Sequence, residues 1–75
     1  MNKSLAELKV GENALVKNIQ KSSLRSKLIE LGLTENTTIS VKFQAPFGDP
    51  IAIDVKGYLL SLRKSEAALI NVETI

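Results

Sequence analysis

Two stretches of strict period-two alternation flank a proline-bounded loop, and they restrict the possible folds of this chain more than anything else in it. Ile39, Val41 and Phe43 alternate with Ser40, Lys42 and Gln44, and Ile51, Ile53 and Val55 alternate with Ala52 and Asp54. Side chains along a strand point to opposite faces in turn, so each stretch reads as a strand with one apolar face to bury. By this alternation Phe43 is expected in the core. The intervening Ala45-Pro46-Phe47-Gly48-Asp49-Pro50 interrupts the sheet, because proline cannot donate to a ladder. Lys56-Gly57 suits a tight hairpin turn. It leads to a further strand over Tyr58 to Leu62, with Leu60 and Leu62 inward.

The rest of the chain fits around this hairpin. Ser4-Leu5-Ala6-Glu7 has the spacing of a capping box and predicts one helical turn over Leu5 and Leu8. Gly11-Glu12-Asn13 turns into a strand over roughly Ala14 to Gln20. Its alternation slips between Val16 and Ile19, which a β-bulge would repair. Ser22 or Ser23 is expected to cap a helix running to about Leu31, with Leu24, Leu28 and Leu31 as one buried stripe. Gly32 supplies the left-handed residue that ends it, and Leu33 the hydrophobic contact that follows. After the turn Thr34 to Thr37 comes the Thr38 to Gln44 strand. Arg63 to Glu66 predicts a short turn with an Arg63–Glu66 ion pair, and Ala68, Ile70 and Val72 the inner face of a last strand. Five short strands with one inserted helix are expected to close, or nearly close, because an open sheet this small leaves two unpaired edges. The fold class is mainly β: a small SH3-like five-stranded barrel with one inserted α-helix, a single domain over residues 1–75.

What the residues omit is as restrictive as what they supply. The chain has 75 residues with no cysteine and no histidine, so it has neither disulfides nor thiolate metal ligands and lacks the commonest general base. No nucleophile–base pair or glycine-rich phosphate loop is visible, and no catalytic residue or cofactor-binding residue is expected. Only carboxylates such as Asp49, Asp54 and Glu66 could hold a metal, and oxygen-only sets suit hard ions better than ferrous iron; no metal ligands are assigned. The longest apolar run, Ala67 to Ile70, is far short of the ~20 residues that span a bilayer. No secretory leader is expected either. Direct membrane insertion is therefore not expected, and the expected location is cytoplasmic. The net charge is only +2, and the ten basic residues are scattered among eight acids. Nucleic-acid binders gather such residues on one face, and one Tyr with two Phe makes a poor stacking platform.

Three segments together carry a family likeness: Lys27-Leu28-Ile29-Glu30-Leu31-Gly32-Leu33, then Ala45-Pro46-Phe47-Gly48-Asp49-Pro50-Ile51, then Gly57-Tyr58-Leu59-Leu60-Ser61-Leu62-Arg63 with Glu66-Ala67. In this order and spacing the chain resembles the ferrous iron transport protein A (FeoA) family over essentially Leu5 to Val72. Asn36 stands where the family is expected to have glycine, and asparagine tolerates the left-handed region best among the other residues. The resemblance implies a cytoplasmic SH3-like barrel that accompanies a membrane ferrous-iron permease carrying a cytoplasmic GTPase domain. It implies an adaptor or regulator of that permease. The alternative is a metal-sensing or self-association barrel like the C-terminal domain of iron-dependent repressors, although no helix-turn-helix is found here.

Two sets of residues are candidates for partner binding. Pro46, Phe47 and Asp49 lie on the proline-bounded loop, which serves equally as a hairpin connection and as a preformed recognition loop with Phe47 as its anchor. Asp49 is expected to bond nearby amides as an Asx turn. Ile29 lies about 140° from Leu24 on a helical wheel, outside the buried stripe and between Arg25 and Ser26. It either packs on a neighbouring element or forms, with Arg25, a small exposed binding spot.

Overall fold

The computed structural model describes residues 2–75. Its strands are β1 (Asn2–Ser4), β2 (Asn13–Ile19), β3 (Thr38–Gln44), β4 (Ile51–Val55), β5 (Tyr58–Leu62) and β6 (Ile70–Thr74). Helix α1 spans Arg25–Glu30 between β2 and β3, helix α2 spans Lys64–Ala67 between β5 and β6, and a 3₁₀ turn covers Leu5–Glu7. All pairings are antiparallel, in the order β1-β6-β2-β3-β4-β5. The sixth strand is the unforeseen one: Asn2–Ser4 pairs with Asn71–Glu73 and is too short to show a period. The ladder ends at β1 on one side and β5 on the other, so the expected closure is not made by hydrogen bonds among the described residues.

One core holds these elements together. Leu5, Leu8, Ala14, Val16, Leu28, Leu33, Ile39, Val41, Ile51, Ile53, Val55, Leu62, Ala67, Ile70 and Val72 are all buried in a single cluster. Burying one aliphatic side chain of this size contributes about 1.5–3 kcal/mol, and with no disulfide this burial is the main term that offsets the ordering entropy. No buried side-chain polar atom of the described residues lacks a partner.

Two bulges shape the sheet. The first falls between Val16 and Asn18, where the alternation slips, and it returns Ile19 to the core side opposite Ile70. The second, between Val41 and Phe43, leaves Lys42 unpaired and sets Phe43 opposite Ala52. That extra residue reverses the side on which Phe43 emerges. Phe43 is 56% exposed and not in the core as its alternation implied.

The two helices also differ from expectation. Helix α1 is six residues long and begins after a turn in which Ser22 Oγ accepts the Leu24 amide. Leu28 alone is fully buried in it, while Leu24 and Leu31 are half-buried and pack on the core's edge. The Arg63 to Glu66 segment is the start of α2, with Ala67 buried and Ala68 an exposed cap residue, so Ala68 is not an inner strand position. Glu66 uses Oε1 to accept the Arg63 backbone N–H at 2.8 Å, in place of the expected Arg63–Glu66 ion pair. A carboxylate at the third helical position satisfies an amide that the helix itself leaves open.

Candidate functional site: a groove beside the first helix

The groove is built by the end of α1. The Gly32 amide donates to Ile29 C=O at 3.0 Å and the Leu33 amide to Leu28 C=O at 3.2 Å, the paired bonds of a Schellman motif. Gly32 makes this possible with φ +103°, and Leu33, 1% exposed, drops into the core beside Leu28. The chain is thereby turned back over β2. There the turn Thr34 to Thr37 is fixed by three bonds: Asn36 N–H to Val16 C=O at 2.7 Å, Val16 N–H to Thr37 C=O at 2.9 Å, and Thr37 N–H to Thr34 C=O at 3.1 Å. The Thr34 and Thr37 hydroxyls meet at 2.9 Å. Asn36 adopts φ 68°, the left-handed conformation that its residue type permits.

Between β2, α1 and this turn lies a groove of about 280 Å³. The buried Val16, Ile19 and Leu33 line it together with Arg25 and Ile29 of α1 and with Lys17 and Glu35. Ile29 is 41% exposed, so it packs partly on the groove wall and still presents apolar surface beside Arg25. Lys17 lies 3.9 Å from Glu73, the one ion pair among the described residues. The arrangement suits recognition of an apolar side chain with polar contacts at the rim, the composition of a small protein-docking spot. No three potential metal ligands (His, Cys, Asp, Glu) cluster among the described residues.

Arg25 and Ile29 are thus brought together as the helical wheel indicates. Pro46, Phe47 and Asp49 are not part of this groove and stand on the β3–β4 loop. The loop is closed by Gly48 N–H to Ala45 C=O at 2.7 Å and Ala45 N–H to Pro50 C=O at 3.1 Å, with Phe47 96% exposed. Asp49 forms no local Asx turn: its Oδ1 accepts the Lys64 amide at 3.0 Å, at the first turn of α2. The sequence reading missed Lys17, Ile19 and Glu35 as groove walls. The slip in β2 marked the bulge that places Ile19 there, whereas nothing local to Glu35 signalled its position.

A family model of the FeoA domain matches residues 3–74. The chain belongs to the FeoA family. A FeoA-like protein from Clostridium acetobutylicum is 40% identical and superposes with a TM-score of 0.92, covering 99% of this chain and 87% of that one. The FeoA of Stenotrophomonas maltophilia, solved in complex with zinc and described as a procaryotic SH3 domain protein, is 26% identical with a TM-score of 0.85 over 95% of this chain and 89% of that one. The SH3-like class expected from the sequence is thus the class of this FeoA fold, with a sixth strand added. A Porphyromonas gingivalis (strain ATCC BAA-308 / W83) protein, an Fe(2+) transport protein A/Fe(2+) transporter FeoB fusion, is 35% identical over 72 residues. Those residues are 95% of this chain and only 8% of the fusion protein, so the chain spans a small part of that relative. A manganese-dependent transcriptional repressor, 17% identical with a TM-score of 0.90 over 99% of this chain and 37% of that one, shares the fold alone.

Proposed function

We propose that this FeoA-family chain is a non-enzymatic accessory of ferrous iron uptake. In this reading it works in the cytoplasm and docks on the GTPase-bearing part of a membrane iron permease, whose action it supports or regulates. The fusion relative carries the reading: there a segment 35% identical to this chain is joined covalently to a transporter named FeoB. Joining two modules in one chain raises their effective concentration, which favours an interaction that separate chains must make by diffusion. The groove beside Ile29 supplies an apolar rim with an arginine next to it, which supports contact with a protein surface. Of the residues chosen from the sequence, Arg25 and Ile29 are proposed as primary contacts and Pro46 and Phe47 as secondary ones. Asp49 is proposed to act indirectly, by holding the loop on α2.

Co-purification of the chain with its cognate iron permease, with and without ferrous iron, tests this. Retention on the full permease, and on its separated GTPase domain, is the expected result. Failure to associate with either sinks the reading. The zinc complex of the S. maltophilia relative favours a second reading, a metal-responsive self-associating barrel. That reading requires a change in oligomeric state on adding metal, measurable by light scattering.

A further inference from the structure

Strand β3 leaves β2 early. The two pair only through Asn13, Ala14 and Leu15, and the turn Thr34 to Thr37 then takes both main-chain groups of Val16. On its other side β2 stays on β6 as far as Ile19, which stands opposite Ile70. The Gln20 amide donates to Leu69 C=O at 2.8 Å, one residue beyond that pair. In an antiparallel ladder a bond in this place makes Ile19 and Ile70 a non-hydrogen-bonded pair. The N–H and C=O of Ile19 therefore point away from β6, to the side where the groove lies.

Neither group finds a partner within the fold. No main-chain or side-chain bond among the described residues reaches Ile19 on that side, although the residue is only 6% exposed. Buried main-chain donors and acceptors are almost always paired, so an unpaired donor and acceptor on one buried residue mark a binding position. Ile29 and Leu33, which line the groove with Ile19, make its surroundings apolar.

The gap is one residue long. Val16 is already bonded, and the next outward residue after Ile19 is Lys21, beyond the end of β2. Antiparallel addition fits that length, because a single partner residue bonds both groups of Ile19, whereas parallel addition needs two. The side chain of that partner residue falls on the same face as Ile19, toward Ile29 and Leu33. At about 280 Å³ the groove is smaller than the ~300–1,000 Å³ of common ligand pockets, and it suits one side chain with its peptide groups. A second copy of the chain is a poor occupant of a gap flanked by α1 and the turn Thr34 to Thr37. Its strands with a free side, β1 and β5, are each backed by a paired strand. Setting β2 against β2 about Ile19 would bring both α1 helices into one space. A lone extended segment meets neither obstacle.

We infer that the groove takes an extended segment of the permease's cytoplasmic part by antiparallel main-chain pairing at Ile19, with one aliphatic side chain of that segment beside Ile29 and Leu33. This mode of recognition rests on the docking reading above and adds the kind of segment that is held. Two main-chain bonds to Ile19 supply affinity, and the apolar lining selects the aliphatic residue.

The probe is a capped, neutral peptide, acetyl-Ser-Thr-Ile-Thr-Ser-amide, added to the full chain while amide exchange is followed by NMR. In the chain alone the Ile19 amide is expected to exchange at least tenfold faster than that of Gln20, which is bonded to Leu69. Saturating peptide should slow Ile19 at least tenfold and leave Gln20 little changed. A peptide N-methylated at its isoleucine loses the donor to Ile19 C=O, and one with alanine there loses the side chain. Each should bind at least tenfold more weakly. The unmodified peptide should also displace the chain from the full permease. The proposal is overturned if the Ile19 amide is already protected without peptide, whether within the fold or in a dimer, if peptide gives it no protection, or if the N-methylated peptide binds alike. Association with the permease that the peptide cannot displace leaves docking in place and overturns this mode of it. Absence of any association would sink the docking reading, and the permease as source of the segment with it, while the peptide results still decide the pairing at Ile19.

Discussion

Asp49 Oδ1 accepts the backbone N–H of Lys64 at 3.0 Å, so a single carboxylate joins the β3–β4 loop to the start of α2 across fifteen residues of sequence. The amide it satisfies belongs to the first turn of a helix, which the helix itself leaves without an acceptor. Asp49→Ala is expected to cost about 0.5–2 kcal/mol, the usual range for losing such a cap, while Asp49→Asn keeps an oxygen acceptor and recovers most of it. Thermal melts of both variants check the ordering. Equal losses would show that the bond does not stabilise the loop.

Gly32 tests the end of α1. Its φ of +103° already disfavours any other residue, and a Cβ there would meet the Tyr58 hydroxyl at 3.2 Å and Val55 Cγ1 at 3.5 Å. Gly11 has a similar φ of +94° with nothing within 4 Å, so Gly11→Ala isolates the backbone cost, about 1 kcal/mol. Gly32→Ala is expected to cost more than Gly11→Ala, and Tyr58→Phe to relieve part of the excess in a double-mutant cycle. Denaturant titration measures each term.

Phe43 separates the two readings of β3. A core phenylalanine cut to alanine costs about 3–5 kcal/mol, but at 56% exposure Phe43→Ala is expected to cost under about 1 kcal/mol. Ile53→Ala, at a fully buried position on the adjacent strand, should cost about 2–5 kcal/mol. Reversal of that order in chemical denaturation would place the phenylalanine back inside.

These cases show what could be read before the structure. Period-two alternation located β3 and β4, and the Lys56-Gly57 turn located β5 after them. The Schellman end of α1 was legible because Gly32 and Leu33 are local signals. The slip between Val16 and Ile19 announced the first bulge, since it broke a visible pattern. The second bulge broke none: Val41-Lys42-Phe43 alternates cleanly, and only pairing with β4 inserts the extra residue. Long-range partners were equally hidden, as with β1 on β6, Asp49 on Lys64 and Glu35 at the groove. The nearness of Arg25 and Ile29 at the groove was legible because they share a face of one helix.

Metal affinity follows from the donor set. With no Cys or His in the chain and no cluster of three acids among the described residues, a stoichiometric micromolar Fe²⁺ site is not expected. Anaerobic calorimetric titration tests this, and a saturating one-to-one isotherm at micromolar concentration would contradict it.

Leu28 and Ile29, neighbours on α1, are 0% and 41% exposed, which makes the pair a direct comparison of core against contact. Leu28→Ala is expected to cost about 2–5 kcal/mol through the cavity it leaves. Ile29→Asp is expected to change stability by under about 1 kcal/mol, as surface substitutions usually do. The decisive measurement is the affinity of the unaltered chain and of Ile29→Asp for the cytoplasmic GTPase part of the cognate iron permease, taken beside a melt of each protein. If the groove is the docking site, Ile29→Asp keeps its fold and loses association. A variant that folds normally and binds as tightly as the unaltered chain would contradict it.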